Sequence, residues 1–143
     1  MELMIVVAVI AILVAIAMPN YQRSVIRSNR AAVQAEMMQI AALMEQYRAR
    51  QLTYTGADFM GLGRSTTAVT TVNFPRTGTA TYRLDLTIPT AVTWTLTATP
   101  LNRQLAMNDG QLAINSIGQQ CWNPSSNTSC DLTNTSLAWS VTR

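Results

Sequence analysis

From Leu3 to Met18 the chain reads LMIVVAVIAILVAIAM, an apolar run without one polar side chain, bounded by Glu2 and by Pro19-Asn20-Tyr21-Gln22-Arg23. No exposed helix of a soluble domain tolerates such a stretch, because a solvated helix needs a polar face. The run falls a little short of the ~20 residues that span a bilayer core, so either residues precede Met1 or the helix continues past Pro19. Two other readings compete. Ala15-Ile16-Ala17 has the small-x-small form of a signal cleavage site, but an acid stands where a signal peptide carries its basic region. A buried soluble helix also accepts apolar residues, yet a segment apolar on every side fits lipid or a multi-subunit core better.

Past the proline the pattern turns amphipathic. Val33, Met37, Ile40, Met44 and Tyr47 recur at spacings of four and three, with Gln34, Glu36, Glu45 and Arg48 off that line. One helix from about Leu3 to about Gln51 accounts for both halves. At 1.5 Å per residue it is on the order of 70 Å long, more than a domain of this size can enclose. Half of it must protrude, which divides the chain into a membrane or filament-core helix, residues 1–24, and a head, residues 25–143, that includes the amphipathic half. Pro19 removes one backbone hydrogen bond and is expected to bend or open the helix locally. Arg23, Arg27 and Arg30 follow at helical spacing. They read either as a solvated face or as a site that meets lipid headgroups or a neighbouring subunit's acids. The positive-inside rule alone would place that side in the cytoplasm, whereas the cysteines argue for the opposite side.

The region from Gly56 to Ala80 is rich in Gly, Thr and Ser without sustained periodicity and is expected to be a long surface connection. Strands follow by alternation: Tyr82, Leu84, Leu86 and Ile88 on one face, a turn at Pro89-Thr90, then Val92, Trp94, Leu96 and Ala98 against threonines. A third strand is expected over about Gln111 to Ile117, after the turn residues Asn108-Asp109-Gly110. Three or four antiparallel strands with one apolar face need a cover, and the amphipathic helix supplies it. The expected fold is therefore α+β, a small antiparallel sheet packed on a long N-terminal helix.

The chain has no His and two cysteines, Cys121 and Cys130, which cannot complete a structural zinc site. A disulfide in an oxidising compartment is the stronger reading, with free buried thiols as the alternative. Asn127-Thr128-Ser129 and Asn134-Thr135-Ser136 match the glycosylation triplet, a frequent chance match in Thr- and Asn-rich loops. Ten Arg against seven acids give a net charge of +3, mild for a nucleic-acid binder unless the arginines gather on one surface. No nucleotide-binding, zinc-protease or serine-hydrolase motif occurs, and the acids are too dispersed for a calcium loop. Neither an enzymatic activity nor a cofactor or metal is expected.

The first thirty residues, MELMIVVAVIAILVAIAMPNYQRSVIRSNR, resemble the N-terminal helix of type IV pilins. Trp94 to Pro100, Gly110 to Gly118 and Cys121-Trp122 look like the sheet and C-terminal region of PilE-type minor pilins, with Asp109 where that pattern often has a cysteine. The resemblance implies that Glu2 is the acid that pairs with a neighbouring subunit's N-terminal amine and that Pro19 is the helix-bending proline, both serving assembly. It implies a chain truncated at its start, since the residues and methylated phenylalanine that open mature pilins are expected upstream. It implies other pilin subunits, the inner-membrane pilus machinery and, before assembly, membrane lipid as partners. The head would lie in the periplasm and then on the extracellular pilus, in a fibre for adhesion, twitching motility or DNA uptake. Two alternatives remain. One is a type II secretion pseudopilin, although the acidic calcium loop usual there is missing. The other is a fibre-tip module that binds DNA or a surface, in which Arg64, Arg76, Arg83 and Arg103 with Trp94 or Trp122 supply phosphate contacts and stacking.

Overall fold

The computed structural model describes residues 2–139, leaving the side chains of Glu2 and Thr135 undescribed. A single helix, α1, runs from Glu2 to Gln51 with Pro19 inside it. Pro19 does not end the helix. Every described side chain from Leu3 to Met18 is exposed, and among the described residues this is the one helix long and apolar enough to cross a membrane. From Ile26 onward the face changes character: Val33, Met37, Ile40 and Met44 are fully buried against the sheet. Each such side chain contributes about 1.5–3 kcal/mol by leaving water. The head thus holds the second half of α1, and among the described residues nothing covers the first.

The sheet has five antiparallel strands in the order β1 (Thr71–Phe74), β2 (Tyr82–Thr90), β3 (Thr93–Pro100), β4 (Gln111–Asn115) and β5 (Gln120–Asn123). A short helix, α2 (Asn102–Ala106), links β3 to β4, and a 3-10 turn spans Thr135–Leu137. Tyr82, Leu84, Leu86, Trp94, Leu96, Ala98, Leu112 and Ile114 form one buried cluster with the helix stripe.

The sheet has five strands where the sequence predicts three or four, and the strand expected to reach Ile117 ends at Asn115. Three further features depart from the sequence expectation. The turn between β2 and β3 lies at Ala91-Val92, with Pro89 inside β2. The β2–β3 register shifts between Thr87 and Thr90, and Pro89 falls within that irregularity, where a residue without an N–H is tolerated. The Gly56–Ala80 region contains a strand, β1, too short at four residues to show a period. The connection after α1 also belongs partly to the core, because Tyr54, Ala57, Phe59 and Leu62 are buried beneath it.

The C-terminal segment is tied down in two ways. Cys121 on β5 is bonded to Cys130 with their Cα atoms 5.8 Å apart, a closure worth roughly 2.5 kcal/mol by loop entropy. Trp139 donates its indole N–H to the Cys121 carbonyl at 2.6 Å.

Candidate functional site

Two polar clusters join α1 to the head, one near each edge of the sheet. The first is centred on Asp109, in the bend between α2 and β4. Arg30 donates Nη1 to Asp109 Oδ1 at 2.9 Å, while the Tyr82 hydroxyl and Gln104 Nε2 at 2.8 Å both reach Oδ2. Asn29 on α1 donates to Gln104 Oε1 at 3.2 Å. Trp122 gives its indole N–H to the Asp109 carbonyl at 2.6 Å, and the Arg30 guanidinium lies 3.8 Å over the Trp122 ring. Burial pushes the Asp109 carboxyl above its ordinary value, against the opposing pull of Tyr82, Arg30 and Gln104. The Tyr82 phenol is also pushed up, by burial first and then by Asp109. The Asp109 carboxylate takes its hydrogen bonds from Arg30, Tyr82 and Gln104, all within the protein, so the cluster fastens the helix to the sheet.

The second cluster is centred on Glu36, an acid that helical spacing places off the apolar stripe and that the structure nonetheless buries. Arg76, in the β1–β2 connection, donates Nη2 to Glu36 Oε1 at 2.6 Å. Arg64, in the connection before β1, has its Nε 3.7 Å from the same oxygen and donates Nη2 to Gln39 Oε1 at 2.7 Å. Both arginines line an open cleft of about 570 Å³ together with Ser65, Thr67, Thr71 and Asn73. No acid is among the residues that line it, although the lining residues Arg76 and Thr71 bond Glu36 and Asp85.

The cleft continues onto the outer face of the sheet, where Asn73 pairs across the strands with Arg83. Arg83 binds Asp85 at 3.0 Å, and Thr71 donates to the same carboxylate at 2.8 Å. At the other end, Asn102 of α2 donates to the Ala80 carbonyl at 2.8 Å, which brings the exposed Arg103 beside the β1–β2 connection. The fold therefore places Arg64 and Arg76 in one cleft at β1, with Arg83 on β2 opposite Asn73 and already bonded to Asp85, and the exposed Arg103 next to Asn102 at the β1–β2 connection. A row of guanidinium groups among hydroxyl and amide donors suits an extended phosphate backbone.

The tryptophans do not join them. Trp94 is buried against Tyr54 in an edge-to-face pair, and Trp122 is covered by Arg30. Of the three arginines after Pro19, Arg23 and Arg27 are exposed and make no ion pair among the described residues, while Arg30 is taken up by Asp109. Glu2 begins α1, with its side chain outside the described residues, and Pro19 is exposed. Among the described residues no group of His, Cys, Asp or Glu is arranged to hold a metal ion. Sequence reasoning missed the roles of Glu36 and Asp109. A turn signal hid Asp109, and only the observation that Glu36 lies one residue from the core position Met37 hinted at burial.

A family model described as type IV minor pilin ComP, DNA uptake sequence receptor, matches residues 19–113. The match runs from the amphipathic half of α1 into β4 and includes Glu36, Arg64, Arg76, Arg83 and Arg103. Curated proteins give no match to the chain.

Proposed function

Because the chain belongs to the ComP family of type IV minor pilins, we propose that it is a pilus subunit whose head captures double-stranded DNA for uptake through the arginine-lined edge at β1. The observation that carries this reading is the cleft at β1 lined by Arg64 and Arg76 among hydroxyl and amide groups, within the stretch matched by a DNA-receptor family. Phosphate contacts supply most of the affinity of such a surface. The exposed apolar half of α1 holds the subunit in the inner membrane and then in the filament, among other pilins. The pilus machinery extracts it, with the head on the periplasmic side, where an oxidising environment suits the Cys121–Cys130 bond. Glu2 pairs with a neighbouring subunit's N-terminal amine and sets the register between subunits.

The test is fluorescence anisotropy of a short labelled DNA duplex against the full chain in neutral detergent, across a salt titration. The expected result is an affinity that falls with a log–log slope of about −3, as for three to four neutralised phosphates. Absence of binding at low salt, or a slope near zero, rules out a phosphate-reading edge.

A further inference from the structure

The Glu36 cluster contains an unfinished contact. Arg64 Nε is buried and has no hydrogen-bond partner, although it lies 3.7 Å from Glu36 Oε1. Its guanidinium is held in place on α1 through Gln39. Arg76 monopolises that oxygen at 2.6 Å, yet its side chain is 40% exposed against 22% for Arg64. Arg76 is thus the arginine that a phosphate in the cleft can reach, and taking it leaves Glu36, a buried carboxylate, with no hydrogen-bonded cation and only Arg64 Nε 3.7 Å away. Such a group is strongly disfavoured, and an unpaired buried N–H is disfavoured too. One movement removes both problems.

We propose that Glu36 exchanges partners when DNA binds: its carboxylate passes from Arg76 to Arg64 Nε, releasing Arg76 to a backbone phosphate. This rests on the DNA reading above and deepens it. Arg76 is the phosphate ligand, and Arg64 is a positioning residue that acts through Glu36. The free protein keeps Arg76 folded back on the acid, and the orphaned N–H of Arg64 marks where the acid goes. Without Arg64 the exchange would strand the carboxylate, and Arg76 would stay with Glu36.

A double-mutant cycle on the full chain in detergent, read by anisotropy of a short labelled duplex, tests this. Arg76→Gln is expected to weaken binding about fivefold and to make the salt slope shallower by about 0.9, as for one lost phosphate contact. Arg64→Gln is expected to weaken binding about threefold and to make the slope shallower as well, because Arg76 then stays with Glu36 and its phosphate contact is lost. Glu36→Gln removes the charge that must be re-paired, so Arg64→Gln added to it should change affinity by less than about 1.5-fold. That rescue separates positioning from simple damage to the fold. If Arg64→Gln leaves the slope unchanged, or keeps its full effect in the Glu36→Gln background, the exchange is overturned while DNA binding stands. If the unmodified chain does not bind DNA in a salt-dependent way, the DNA reading and the exchange fall together.

Discussion

At Asp109 one buried carboxylate meets one guanidinium, and at Glu36 one buried carboxylate meets two. The side chains of Arg30 and Asp109 are 17% and 4% exposed, and Trp122 covers the arginine. Those of Arg76 and Glu36 are 40% and 10% exposed, and the arginine faces an open cleft. Both clusters attach α1 to the head, but only the second has positive charge to spare. A one-to-one pair closed by hydrogen bonds serves attachment, whereas a shared acid leaves one cation for another purpose. The two clusters differ by that single charge.

The heaviest blow to the first cluster should come from Gly110, the residue after Asp109. Its φ is +88°, and a Cβ there would lie 2.1 Å from the Asn123 carbonyl oxygen, a backbone atom that cannot swing aside. Gly110→Ala is expected to cost about 4 kcal/mol or more, by strain and by parting β4 from β5. Thermal unfolding of the detergent-solubilised chain, followed by near-ultraviolet dichroism of Trp122, measures it. A melting temperature within a few degrees of the unmodified chain would show that the strands need not approach so closely.

How far the sequence reveals this contrast depends on the range of each interaction. The helix from Leu3 to Gln51 was legible to within a residue of its observed Glu2–Gln51 span, because a solid apolar run and a 3.6-residue stripe are local signals. The alternations at Tyr82–Leu86 and Trp94–Ala98 were equally legible. β1 was not, since four residues at a sheet edge owe their strand to pairing with β2 rather than to a period of their own. The sites were less legible still. Arg30 and Asp109 are 79 residues apart, and Arg76 and Glu36 are 40 apart. The four arginines could be named as a set, but the fold alone decides that Arg64 and Arg76 share a cleft and that Trp94 and Trp122 do not line it.

Removing Arg30 tests whether the closed cluster is a true charge pair. Arg30→Ala leaves Asp109 buried without its cation and is expected to cost about 3 kcal/mol at neutral pH. The sign of the pH dependence follows from the raised pKa of Asp109. The folded state holds the proton more tightly than the unfolded chain, so acidification through the raised value favours folding. Loss of Arg30 removes one influence that lowers that pKa and moves it higher still. The deficit of Arg30→Ala should therefore shrink as the pH falls through the folded pKa towards the ordinary carboxylate value of 3.8. Melting temperatures of both proteins along a pH series give the answer. A deficit that stays constant would mean that Arg30 matters for its packing on Trp122 and not for its charge.

The smallest expected effect is the most telling for the comparison. Arg76→Ala deletes a shorter contact than Arg30→Ala does, 2.6 Å against 2.9 Å, and on distance alone it should be the more damaging. Exposure and the second cation reverse that order. A half-solvated guanidinium contributes only about 0.2–1 kcal/mol, and Arg64, already 3.7 Å from Glu36 Oε1, remains to neutralise the acid. The expected loss is therefore below about 1 kcal/mol. Adding Arg64→Gln removes the last cation from Glu36, so the double substitution should destabilise by clearly more than the two single losses combined. Thermal melts of the two single variants and the double variant in the same detergent and salt decide it. Simple additivity, or a single Arg76→Ala as costly as Arg30→Ala, would mean that Glu36 depends on one arginine after all, and the two edges would then differ only in how deeply they bury the same pair.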